Sequence, residues 1–187
     1  MAVTTLDPIT ALIVVDLQKG IVSLPAAHPV ADIIAQNRKL LDAFRQRGLP
    51  VVLVNVTDGA PGRTEQPRFD ISALPSDWFT LIPELDQQPG DLLVTKRSWG
   101  AFVNTGLEQQ LKAIGVTQIV VTGVATSIGV EATARQAYEL GFNVTLASDA
   151  MTDLRPDAHA HSVAQIFPRL GETGTVEEIL ALLPKAA

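Results

Sequence analysis

Two strand-like runs in this 187-residue chain end on charge. Leu12-Ile13-Val14-Val15 leads into Asp16, and Leu92-Leu93-Val94-Thr95 leads into Lys96. A carboxyl at the end of a strand buried on both faces is either paired or kept neutral with a raised pKa, because burying a lone charge is expensive. Lys96 is the natural partner. A plainer assignment fits the same positions: Asp16 as a loop acid on backbone amides and Lys96 as a solvated strand end.

A third element with chemical potential is Gly123-Val124-Ala125-Thr126-Ser127-Ile128-Gly129, which joins a strand to a helix. Backbone N–H groups at such a junction can hold an anion or a developing oxyanion. Its spacing matches neither a P-loop nor G-x-G-x-x-G. Gly129 falls in the first helical turn, where glycine costs about 1 kcal/mol relative to alanine; it serves either a ligand's need for space or tight helix–strand packing. Ser127 is a weak nucleophile candidate, since His28, His159 and His161 belong to other segments, and it reads better as a helix cap. Cysteine is absent, which removes disulfides, thiolate metal sites and thiolate nucleophiles.

The positioning elements follow from hydrophobic period. Short apolar runs at 12–15, 51–56, 92–95, 118–122 and 144–147 read as buried parallel strands. Helical spacing covers Val30 to Arg47, a segment opened by a capping box at Thr105-x-x-Glu108, a helix capped by Thr126 or Ser127 and ending at Gly141, and one from Pro156 through Ile166. Thr173 to Leu183 reads as a short strand or turn leading into a last helix. Alternating strands and helices predict a three-layer α/β/α sandwich around a mainly parallel, Rossmann-like sheet of five or six strands, with residues 1–187 as a single domain. Strand five is expected to end at Ser148-Asp149. In such sheets ligands bind beyond the carboxyl ends of the strands, where Asp16, Asn55, Lys96, Gly123 to Gly129 and Asp149 fall.

Thr57 to Gln88, about thirty residues rich in Pro, Gly and Asp, is too long for an ordinary connection and is expected to wall or cover a pocket. Its Arg63 and Arg68, with Arg97, are candidate forks for an anionic substrate, or else solvated loop charges. Trp99 and Phe102 either line that pocket or belong to the core.

The formal charge of −6, with no cluster of cations, argues against nucleic acid and anionic membranes. Hydrophobic residues at 47% and charged residues at 18% describe a core-forming chain rather than a disordered one. Met1 to Thr10 lacks the features of a signal peptide, and no apolar stretch approaches the ~18 residues that span a bilayer, so a cytoplasmic protein is expected.

Three ordered blocks, Ile13 to Gln18, Lys96 to Phe102 and Gly123 to Ala137, resemble the signatures of the isochorismatase-like hydrolases. The resemblance spans essentially the whole chain. It implies an Asp, Lys, Cys triad in amidase members, which maps onto Asp16, Lys96 and position 129, here glycine. The same glycine marks the isochorismatase branch, where the resemblance implies that Asp16 protonates the enolpyruvyl methylene carbon of an enol ether, Lys96 orients it, and Gly129 leaves room. Ala125 stands where isochorismatases carry an aromatic, and Gly-Val-Ala-Thr is the form of the amidohydrolase branch. A cis Val124-Ala125 peptide and a homodimer or homotetramer are implied as well.

The histidines of the nicotinamidase metal site have no counterpart: Asn55 to Asp58 offers none, and His159 and His161, two apart, face different sides of a helix. No metal and no cofactor are expected. The reading is a cysteine-independent hydrolase of a small anionic metabolite. Its alternatives are a retired enzyme that binds a small molecule or partner, and a C–N hydrolase using water or Ser127.

Overall fold

The computed structural model describes residues 3–66, 70 and 73–184. Six strands form one sheet: β1 (Thr10–Val15), β2 (Val51–Val56), β3 (Leu92–Lys96), β4 (Gln118–Val124), β5 (Asn143–Thr152) and β6 (Glu172–Gly174). Their spatial order is β3-β2-β1-β4-β5-β6, and every pairing is parallel. The helices are α1 (Lys19–Val22), α2 (Val30–Gln46), α3 (Leu107–Ala113), α4 (Glu131–Glu139), α5 (Pro156–His161) and α6 (Val176–Leu182).

The continuous apolar runs of β1, β2, β4 and β5 have the physical cause expected of them; the run at 92–95 does not, because β3 is an edge strand with one face open and Leu93 55% exposed. Side chains alternate across a strand, so Ala11, Ile13 and Val15 of β1 pack with Leu107 and Leu111 of α3 and Ala134 and Ala137 of α4. Leu12 and Val14 pack on the other face with Leu40, Leu41 and Phe44 of α2 and Ile179 of α6. A strand buried on both faces has no polar side until it ends. Each of these large side chains contributes about 1.5–3 kcal/mol by leaving water.

Chain order also fixes where a site can form. From β1 the strands progress outward through β2 to β3, and from β4 outward the other way, so the order reverses between β1 and β4. A crevice opens outside the carboxyl ends at such a switch point. Asp16 follows β1 and Ala125 follows β4, which places both beside it.

Local details depart from the sequence reading. Thr105 and Glu108 do not form the expected box: Gly106, at φ 72°, is the N-cap of α3, and the Thr105 hydroxyl donates to the Ala101 carbonyl at 2.6 Å. The capping box of the chain is Thr175 with Glu178, at the start of α6. Neither Thr126 nor Ser127 caps α4; a π-type turn over Thr126–Val130 precedes it, with Ala125 as N-cap. The helix after Pro156 passes into a π-type turn at Ser162–Ile166 and a 3-10 turn at Phe167–Arg169. The short α1 was not expected.

β5 outlasts its apolar run. Gly123, at φ 111°, lies so close to the Val15 carbonyl that a Cβ would overlap it, and the β4–β5 register shifts between Val121 and Gly123. Beyond the shift the strand continues to Thr152. Asp149 therefore lies inside β5, where its Oδ1 accepts from the Val176 amide at 2.7 Å. It holds the start of α6 and is not at the carboxyl edge. Among the described residues no helix is long and apolar enough to cross a membrane.

Candidate active site

Asp16 leaves β1 at φ 53°, the left-handed region that aspartate tolerates better than most residues. Its amide still bonds the Val54 carbonyl at 2.9 Å, so the turn begins while the backbone is tied to β2. The Lys96 ammonium donates to Asp16 Oδ2 at 2.7 Å and to the Ser98 carbonyl at 3.1 Å. Only 7% of the Asp16 side chain and 2% of the Lys96 side chain remain exposed. Asp16 Oδ1 is buried and has no hydrogen-bond partner among the described residues.

Two effects act on this carboxyl in opposite directions. Burial raises its pKa, and the charge and hydrogen bond of Lys96 lower it; burial prevails and pushes it from 3.8 up to about 6. The group is thus able to give or take a proton near neutrality.

Gly129 completes the cluster. A Cβ there would lie 3.1 Å from Asp16 Oδ2 and 3.0 Å from Val15 Cγ1, so the side chain missing at this position would have stood against the acid. The structure brings Asp16, Lys96 and Gly129 together, the three positions onto which the resemblance maps a triad.

Helix α4 ties the lysine loop to the glycine turn. The Thr133 hydroxyl donates to the Gly129 carbonyl at 2.7 Å and accepts from the Ala101 amide at 3.1 Å. Gln136 Oε1 accepts from the Phe102 amide at 3.0 Å, and Gly100 has no room for a Cβ against that Gln136 amide. Thr133 and Gln136 gave no signal in the sequence beyond lying on a helix.

The Val124-Ala125 peptide is cis. Val124 is buried, and the Ala125 carbonyl accepts from the Ile128 and Val130 amides at 3.0 and 3.1 Å. Ser127 is held by an acid that sequence reading missed: Asp153 Oδ2 accepts its amide at 2.7 Å and its hydroxyl at 2.8 Å. The signal was the length of β5, whose polar Ser148-Asp149 looks like an end. Among the described residues, the one histidine bonded to this turn holds the buried Thr126 instead, with His159 Nδ1 2.8 Å from its hydroxyl oxygen. Burial and the adjacent His28 hold the His159 pKa below its usual value.

A cavity of about 920 Å³ adjoins the pair. It is walled by residues of the 57–66 segment and by Ile21, Leu24, Trp78, Phe79 and Trp99. Asp16 and Lys96 do not themselves line it; the link to them is Val56, a strand neighbour of Lys96. Val56, a lining residue, pairs with Lys96 across β2 and β3, and Gln18 clamps it, accepting from the Val56 amide at 2.9 Å and donating to its carbonyl at 3.1 Å.

Of the residues expected to touch substrate, Arg63 and Trp99 line the cavity. Arg97 is exposed and does not line it. Phe102 belongs to the apolar core, stacked on Phe142 with ring centroids 5.8 Å apart, because the Gln136 bond draws its backbone onto α4. Arg68 lies outside the described residues. Among the described residues no three His, Asp or Glu side chains converge as metal ligands.

The sequence and fold have close counterparts. Residues 10–178 match the isochorismatase domain family. The isochorismatase family protein YwoC of Bacillus subtilis (strain 168) is 41% identical over 177 residues, which covers 91% of this chain and 92% of that one. The ureidoacrylate amidohydrolase RutB of Rhizobium rhizogenes is 31% identical, covering 95% and 85%. The structure of an isochorismatase family protein from Burkholderia thailandensis superposes with a TM-score of 0.91 at 42% identity, covering 96% and 97%. With its Asp16–Lys96 pair at the switch point of a six-stranded parallel sheet, the chain belongs to the isochorismatase family of hydrolases.

Proposed function

We propose that this hydrolase works without a covalent intermediate and that Asp16 is its proton-transfer group. The observation that carries the reading is the state of that carboxyl: buried, bonded through Oδ2 to Lys96, unpartnered at Oδ1 among the described residues, raised to about 6 and packed closely against Gly129. Hydrolysis of an enol ether on a small metabolite needs no more than this. Asp16, protonated, gives its proton to the terminal methylene carbon and leaves an oxocarbenium ion. Water adds to that ion, its released proton returns to the Asp16 carboxylate, and the hemiketal collapses to a 2-keto acid and an alcohol. Lys96 holds the carboxyl in place throughout. Near pH 7 about a tenth of a carboxyl with this pKa is protonated, so turnover falls as pH rises through 6.

Of the three arginines expected to hold an anionic substrate, Arg63 alone lines the cavity among the described residues, and Asp58 and Glu65 line it too. That supports an anion of low charge.

The test is 2-keto acid release by the purified protein from isochorismate, a dicarboxylate, and from 2-phenoxyacrylate, an enol ether with one carboxylate, followed through an NADH-consuming coupled reaction, with Asp16→Asn beside it. Turnover of either that is lost in the variant supports the reading, and absence of both from the unsubstituted protein overturns the enol-ether assignment. A second reading, water-mediated C–N hydrolysis with Asp16 as general base, is favoured by the kinship with ureidoacrylate amidohydrolases and by Ala125. It predicts turnover of ureido or amide compounds that rises as pH passes 6.

A further inference from the structure

The geometry points to a substrate class: the cavity beside Asp16 and Lys96 selects a flat, conjugated body that carries a single carboxylate. This inference rests on the reading of Asp16 as the reacting group and names what is held beside it.

Three aromatic side chains, Trp78, Phe79 and Trp99, line the cavity, and aromatic faces favour flat π surfaces over puckered saturated ones. The wall they make is fixed through the main chain. The Trp78 carbonyl accepts from the Gly20 amide at 3.0 Å and from Gln18 Nε2 at 3.4 Å. The Phe79 carbonyl accepts from Asn55 Nδ2 at 3.0 Å. Gly20 lacks the Cβ that would collide with the Trp78 indole, so the ring lies directly against backbone. Trp99, on the loop that α4 holds, leaves 65% of its surface exposed, an apolar face that a ligand would cover.

Charge sets the other half of the selection. Arg63 forms no ion pair among the described residues and supplies one guanidinium fork, which fits one carboxylate. Among the described lining residues a second carboxylate would find Asp58 and Glu65, and Arg63 is the one cation. The volume, near the upper end of the roughly 300–1,000 Å³ common for small-molecule sites, leaves room for substituents around such a ring.

The chain has two tryptophans and both line the cavity, so its tryptophan fluorescence reports on this place alone. The experiment titrates the protein with benzoate, isophthalate, cyclohexanecarboxylate and benzamide, and repeats each titration on Arg63→Gln, Trp99→Ala and Asp16→Asn. Benzoate is expected to quench saturably and to bind at least about threefold more tightly than the dicarboxylate, the saturated ring or the neutral amide, a contrast of the size that an exposed ion pair gives for the charge and an aromatic contact gives for the ring. Arg63→Gln removes the advantage over benzamide, Trp99→Ala weakens every aromatic probe, and Asp16→Asn still binds benzoate. Isophthalate or cyclohexanecarboxylate binding as tightly as benzoate, benzoate unaffected by Arg63→Gln, or no saturable quenching would each overturn the inference. Failure of the catalytic reading shows separately, as turnover that survives Asp16→Asn while benzoate selection stays intact.

Discussion

Strand β3 carries a buried ion pair at each end, and the two are built differently. At its start, Asp91 meets Arg45 of α2; at its finish, Lys96 meets Asp16. Both oxygens of Asp91 are occupied, Oδ1 by Arg45 Nε at 3.2 Å and Oδ2 by Arg45 Nη2 at 2.6 Å and the Gln88 amide at 2.8 Å. Asp16 has one oxygen bonded and one bare. The first pair does have an unpartnered atom, Arg45 Nη1, but a guanidinium does not give up its proton. A carboxylate filled on every side by such a partner is a cross-link. One bonded to a lysine through a single oxygen, with its pKa near 6, holds a proton that can move, which is the state the proposed function uses.

Breaking each pair in turn sharpens the contrast. The largest effect is expected from Asp16→Asn, which should lower turnover by at least about a hundredfold with the circular dichroism spectrum unchanged. Activity retained in that variant would remove Asp16 from the chemistry. Next are the two cations. Lys96→Met and Arg45→Met should each cost about 3 kcal/mol in urea unfolding at pH 8, because each leaves a buried carboxylate without its partner. They should part company in the pH–rate profile: Lys96→Met removes the influence that lowers the Asp16 pKa and moves the midpoint above 6, whereas Arg45→Met leaves it at about 6. A midpoint shift in the Arg45 variant would break the comparison.

The raised Asp16 pKa also acts on stability. The folded state holds this proton more tightly than the unfolded chain, so the cost of burying the charge is present above pH 6 and disappears on acidification to about 4. The gain over that window is at most about 3 kcal/mol. Because other carboxylates titrate in the same range, the measurement is the difference between the unsubstituted protein and Asp16→Asn in unfolding free energy at pH 4, 5, 6 and 7. A difference independent of pH would contradict the raised pKa. The smallest effect belongs to Thr133→Val, which strands the buried Ala101 amide and should cost about 1–2 kcal/mol, recovered by Thr133→Ser.

What could be read in the sequence follows from the same physics. Asp16 was visible because a strand covered on both faces admits no polar residue until it ends; Lys96 was visible only as the charge closing an apolar run, since β3 is an edge strand with Leu93 55% exposed. Gly129 stood out as a glycine in a helical turn. Asp153 was hidden because β5, bent past the Gly123 irregularity, keeps going after Ser148-Asp149 interrupts its apolar run. Asp149 was consequently placed at the site although it serves α6. Thr105-x-x-Glu108 and Thr175-x-x-Glu178 show the same pattern at sequence level, yet only the second closes as a box, since the Thr105 hydroxyl is drawn to the Ala101 carbonyl. Phe102 and Trp99 sit three residues apart on one loop, and only tertiary hydrogen bonding decides that the first is core and the second lines the cavity.

Gly129 has one more consequence, for the conditions under which such a centre survives. With no cysteine in the chain, no sulfur stands beside Asp16 to be alkylated by iodoacetamide or driven by peroxide to sulfinic acid. Reagents that silence a thiolate enzyme find no thiol here, and the sulfur in the chain is confined to its two methionines, of which Met151 is buried.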